Sequence, residues 1–242
     1  MTQVIEETQS TALPPTPPPH DINARTNYGK PFNKLPLSEQ LLIAGRVLDN
    51  TIGNPQISNV MLRFGYDEQK MADFRVLYDQ AIVAHNAQVK EYGEKSEAYA
   101  DFNKIYAVAK YEFSTLRKLL RVALKTDKEK LNQLNVFEAK KQTVGGLLDQ
   151  MQVCYKNVFG DRDVLDKLAK IGINSFTLQG YLDNYNAARL SYSVFFREDS
   201  EAVHATRIRD DKVEALCDFL SDFFALARIA FADQPELLKQ IT

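Results

Sequence analysis

The sequence predicts an all-α protein: a helical bundle built from two tandem pseudo-symmetric helical repeats, offset by 107 residues and preceded by an extended Pro-rich N-terminal arm. Three observations predict it. The chain resembles itself at that offset, apolar residues recur at helical spacing almost throughout, and no segment alternates with period two between hairpin turns.

Shifted by 107, residues 40–135 align with 147–242 without a gap, and 16 of the 96 pairs are identical. Typical composition would give about six or seven. The clearest match sets "RVALKTDKEKLNQL" from Arg121 against "RIAFADQPELLKQI" from Arg228. Helix punctuation recurs too. Gly53 falls on Gly160 and Gly65 on Gly172, and a glycine just past a helix end closes the last turn in the left-handed conformation. Asn54 and Asp161 follow the first glycines as caps, with Pro55 at a first helical position, and Asp67 and Asn174 follow the second. Thr126 with Glu129, and Asp233 with Glu236, have capping-box spacing.

Taken in order, residues 1–36 form the arm, 37–135 the first repeat and 136–242 the second, with both repeats packed as one domain. "LPPTPPPHD" packs five prolines between Pro14 and Pro19, a composition that gives extended chain. Its PxxP spacing is also that of segments that dock in aromatic grooves. Arg25 to Pro36 reads as a strap that buries Tyr28 and Phe32. Each repeat then reads as a medium helix (about Ser38–Thr51 and Glu138–Val158), a short one (Gln56–Arg63 and Asp163–Lys170), two long ones and a short closing one. The long helices are expected at roughly 25 to 30 residues, or about 35 to 45 Å. Polar junctions at "EYGEKSE" from Glu91 and "REDSE" from Arg197 would make them antiparallel neighbours. Asn135 to Lys141 lacks Pro and Gly, so a helical connection between the repeats is expected.

Lys plus Arg number 30 and Asp plus Glu 32, a net charge of −2 that argues against a nucleic-acid partner held by bulk electrostatics. The most apolar run, Ala215 to Ala232, is broken by Asp218, Asp222 and Arg228, so no membrane span is expected. "MTQVIEETQS" is acidic and lacks an apolar segment, so no signal peptide is expected there. Cys154 and Cys217, both on helical apolar patterns, read as reduced thiols, which points to the cytoplasm.

Candidate chemistry is sparse. "EAVH", Glu201 to His204, has the Glu-x-x-His spacing by which bundles hold two iron or manganese ions, and the offset places "EKSE", Glu94 to Glu97, at the equivalent position. The pattern is expected in the first turn of a helix at the end of the bundle, where acidic residues complement the dipole, and no inward-facing Glu on other helices completes a cage. His85 reads as a core-edge residue, and His20 lies in the arm. "VGGLL" at Val144 to Leu148 reads as close helix packing. Aromatics from Tyr181 to Phe196 read as core and could also line an apolar pocket. No residue is assigned to a catalytic, cofactor-binding or metal site, and no cofactor is implied. The expectation is a non-enzymatic helical structural or protein-interaction protein, self-association possible. The alternative is a small-ligand- or metal-binding bundle with a cavity between the repeats.

Overall fold

The computed structural model describes residues 32–242. The proline run, His20 and Tyr28 lie outside the described residues. Among the described residues every regular element is helical. A 3-10 turn (Phe32–Lys34) leads into α1 (Leu37–Gly53), α2 (Pro55–Leu62), α3 (Glu68–Ala123), α4 (Lys128–Gln133), α5 (Val144–Gly160), α6 (Arg162–Ala169), α7 (Ser175–Ala230) and α8 (Pro235–Ile241). The first and last residues of α1, α2 and α3 recur, at a constant spacing of 107, in α5, α6 and α7.

The local chemistry at these ends recurs as well. Asn54 and Asp161 accept from backbone N–H groups at the start of α2 and α6; Asp67 and Asn174 do the same for α3 and α7. Gly65 (φ 82°) and Gly172 (φ 88°) take the left-handed conformation, and the next residues, Tyr66 and Ile173, donate back to Met61 and Leu168. Three details differ from the expectation. Gly53 and Gly160 are the last helical residues and keep negative φ, because the extended Asn54 and Asp161 end those helices. The cap of α4 is Asp127 and not Thr126, and α8 starts after Gln234, not Asp233, with no side-chain cap and Pro235 at its first turn.

The largest correction concerns the long helices. Neither "EYGEKSE" nor "REDSE" is a junction: α3 and α7 each run 56 residues without a break, about 84 Å at 1.5 Å per residue. The reason lies in a repeat that continues through both stretches. Phe74, Ala81, Gln88, Lys95, Phe102, Ala109 and Leu116 follow at seven-residue steps in α3; Ala188, Phe195, Ala202, Arg209, Leu216 and Phe223 do so in α7. A seven-residue period keeps one stripe of each helix facing its partner in a left-handed supercoil. Gly93 costs about 1 kcal/mol in a helix interior, too little to break a pairing of this length. The antiparallel neighbours are therefore α3 and α7 themselves, as the contacts Phe74–Phe219, Phe102–Tyr192 and Glu112–Asn184 show.

Asn135–Lys141 is likewise not helical, and α5 starts at Val144 and not near Glu138. Asn135 takes φ 54°, Val136 N–H returns to Leu131, and the chain then crosses the end of α3 as a strap. Arg117 holds it there through bonds to the carbonyls of Val136 and Glu138.

Buried side chains form two clusters, one at each end of the α3–α7 pair, and each draws on both halves of the chain. Head 1 gathers Val47, Leu48, Ile57, Met61 and Phe74 from the first half with Leu216, Phe223 and Ile241 from the second. Head 2 gathers Phe113, Leu116 and Leu131 with Met151, Tyr155, Val164 and Leu178. Full burial of each such side chain contributes roughly 1.5 to 3 kcal/mol. Matching bonds fasten the short helices across the halves: Asn50 donates to the Gln240 carbonyl (2.5 Å) and Asn157 to that of Gln133 (2.6 Å).

Candidate functional site

Midway between the heads the seam between α3 and α7 changes character. Towards the ends its residues are Phe, Leu and Ala, but at the middle Tyr92 and Lys95 of α3 face Thr206 and Asp199 of α7. Lys95 Nζ lies 2.5 Å from Asp199, and Thr206 donates to Tyr92 Oη at 3.4 Å. The ion pair is about one-third exposed on each side, so water weakens it, and its main effect is to fix register and not to add stability. Its bond to Asp199 raises the Lys95 pKa. Buried Ala84, Ala202 and Ala205 let the helices approach on either side of this polar layer.

Beside it stand three carboxylates, Glu91, Glu94 and Glu198, each with an oxygen within 4.8 Å of the others. Bases from the same helices answer them. Lys90 bonds to Glu94 (2.9 Å) and approaches Glu91 (3.7 Å), while Arg197 holds Glu198 at 2.6 Å. The bond to Glu94 raises the pKa of Lys90, and that to Glu198 raises that of Arg197. One oxygen, Glu91 Oε2, is buried without a hydrogen-bond partner among the described residues. The cluster has the chemistry to hold a hard cation; its own Lys90 and Arg197 already supply countercharge.

The structure redistributes the residues singled out in the sequence. Glu201 and His204 lie mid-helix in α7, not in a first turn at the end of a bundle, because α7 is continuous. Both are exposed, and Glu201 sits 3.8 Å from Arg197. Glu97 is exposed too; only Glu94 joins the acidic group. Glu91 and Glu198 were missed, although they are identical at the 107 offset, as are Glu94 and Glu201 three residues on. His85 occupies a half-buried seam position, its Nδ1 buried without a partner among the described residues. Cys154 and Cys217 are free and lie in opposite heads. Burial pushes the Cys154 thiol up to about 12; burial, with Asp218 beside it, pushes that of Cys217 to about 11. Gly145 and Gly146 open α5, and a Cβ on Gly146 would meet the Thr143 hydroxyl at 2.8 Å. That glycine makes room for a helix cap and not for a neighbouring helix.

The fold and its polar waist define the class: a two-headed protein built on an antiparallel helical pair. No protein-family model, no curated protein and no solved structure matches the chain. No helix among the described residues is long and apolar enough to cross a membrane.

Proposed function

We propose that the protein is a non-enzymatic structural or interaction scaffold: a duplicated helical unit whose two copies form a bridge between two heads, in contact with protein partners that include further copies of itself. The observation that carries this reading is the uninterrupted pair of 56-residue helices with a separate core at either end. Such a shape spends most of its surface on spacing two ends apart. The shared offset of helix limits, caps and the Asn50 and Asn157 bonds supports the duplication. Exposed apolar residues share it as well: Val83 with Leu190, Val89 with Phe196, and Val122 with Ile229 are all more than half exposed. Surfaces repeated about a two-fold axis favour isologous contacts. Two buried free thiols and a net charge of −2 fit a cytoplasmic protein whose partners are not nucleic acids. The run Pro14–Pro19 is read as the extended arm of this scaffold on composition alone.

The test combines sedimentation velocity over a concentration series with photo-cross-linkers placed in cells at Val122, Ile229 and Phe196. Cross-links to a protein partner or to a second copy are expected, with a polar site such as Lys104 silent. A monomer at every concentration, with all three apolar sites as silent as Lys104, overturns the reading.

A further inference from the structure

We propose that the groove between α5 and α7 in head 2 binds a small carboxylate with a flat apolar body, a capacity separate from the scaffold reading. The groove has a volume of about 280 Å³, just below the range of about 300 to 1,000 Å³ usual for drug-sized ligands, so it suits something smaller.

A comparison with head 1 shows how the groove arises. There, the Tyr78 hydroxyl lies against Gly45 of α1 so closely that a Cβ on Gly45 would stand 2.9 Å from it. The counterpart positions in head 2 carry Tyr185 and Gln152. Both line the groove, whereas in head 1 the Tyr78 ring lies over Gly45.

The lining selects the ligand. Tyr155, Tyr185 and Phe159 give flat aromatic walls, two of them fully or almost fully buried. Tyr155 is 1% exposed and its hydroxyl has no hydrogen-bond partner among the described residues, so a donor stands unused beside the groove. Lys156 and Arg189 stand at the rim, and neither is among the ion pairs of the described residues. Arg189 also bonds to the Tyr185 hydroxyl. Two acids act nearby. Glu112 faces Tyr155 but is held by Asn184 at 2.9 and 3.0 Å, and Asp149, one turn before Gln152, acts on Tyr185 from outside the lining. The lining itself holds two cations, an unused hydroxyl donor and no carboxylate. An anionic acceptor on a planar apolar body satisfies all three, and charge-assisted bonds to Lys and Arg supply the affinity.

The full chain is titrated with sodium benzoate, and with neutral benzamide as the isosteric control, at constant ionic strength. Binding is followed by calorimetry and by NMR of ¹³C-labelled tyrosine rings. Saturable benzoate binding is expected, with Tyr155 and Tyr185 resonances moving and Tyr78 unmoved. Benzamide should bind about tenfold or more weakly, as loss of a hydrogen bond to a charged group implies. Arg189→Gln and Lys156→Gln should each weaken benzoate by a similar factor. Lys156 is exposed, so the melting temperature of its variant should hold; Arg189→Gln also removes a bond to Tyr185, and the Lys156 variant suffices should it misfold. Benzoate that fails to saturate, that binds no better than benzamide, or that moves Tyr78 instead of Tyr155 and Tyr185 overturns the proposal. None of these outcomes bears on the oligomeric state or on cross-linking from Val122 and Ile229, so this proposal and the scaffold reading stand or fall apart.

Discussion

At the position where head 1 buries Phe224 against Phe32, ring centroids 5.8 Å apart, head 2 buries Arg117. Each side chain covers a strap, the non-helical segment that leads into the head's first helix, and the straps make different demands. The described part of the strap of head 1 is a 3-10 turn followed by Leu35, whose carbonyl accepts from Gln40 at 2.8 Å. The strap of head 2 turns carbonyls of Asn135, Val136, Glu138 and Ala139 inward, where Arg117, Arg121 and Gln150 supply the donors. Gln150 stands where head 1 has Ile43, and Gln40 where head 2 has Leu147. The two heads share a frame but not an interior. Caps and turn glycines, which act locally, stand at matching places in the two heads; residues that answer the strap differ as the straps do, because a buried carbonyl without a donor costs about 1 to 3 kcal/mol.

The largest expected effect comes from exchanging these solutions. Phe224→Arg puts a guanidinium into head 1, where Phe224 packs on the Phe32 ring and not on a strap carbonyl. Urea unfolding should show a loss of about 4 kcal/mol or more; a loss below about 1 kcal/mol would mean that the heads are interchangeable. Next, Arg117→Leu strips the donor from Glu138 and leaves Val136 with Arg121 alone; it should cost about 2 to 3 kcal/mol, with hydrogen-exchange protection lost first in α5. Gln40→Leu in head 1 removes one carbonyl bond and the contact with the Cys217 thiol. About 1 to 2 kcal/mol is expected, together with faster reaction of Cys217, but not of Cys154, with a thiol reagent.

Smaller still is the waist. A double-mutant cycle on Lys95 and Asp199 should return a coupling close to zero, since both partners are part-exposed. Reversing the pair, Lys95→Asp with Asp199→Lys, should leave stability nearly unchanged. The smallest effect is a pH dependence confined to head 2. Bonds to Lys130, and then to Lys167, hold the Asp163 carboxyl down at about 2. A depressed carboxylate stabilises the fold above its ordinary range near 4 and loses that contribution as pH falls through about 2. Carbon-detected NMR should place its midpoint there. Lys130→Leu, which copies Leu237 of head 1, should move it back towards the ordinary range.

How much of this was readable in the sequence depends on how local each cause is. The caps Asn54, Asp67, Asp161 and Asn174, and the left-handed Gly65 and Gly172, were legible because each acts within a turn of its own residue. The length of α3 and α7 was not read, since Gly93 and the charged residues beside it suggest a break when considered alone. The signal was present in the seven-residue step through Gln88 and Lys95, but a polar residue at a seam position becomes intelligible only once Asp199 and Thr206 stand opposite. Glu91 and Glu198 were overlooked for the same reason. The groove beside Tyr185 was out of reach: the difference between Gly45 and Gln152 is visible in the letters, but its consequence depends on a tyrosine 33 positions further along in each half.

By itself, then, the sequence determined the helical class, the helix ends at the caps and turn glycines, and the internal likeness at 107, all properties of neighbours within a few residues. Only the tertiary structure decided that the long segments run unbroken, that they pair with one another across the chain, and that buried residues collect in two heads with a polar waist between. Long-range pairing is chosen by the sum of many weak contacts along an interface, and no single stretch of residues carries that sum.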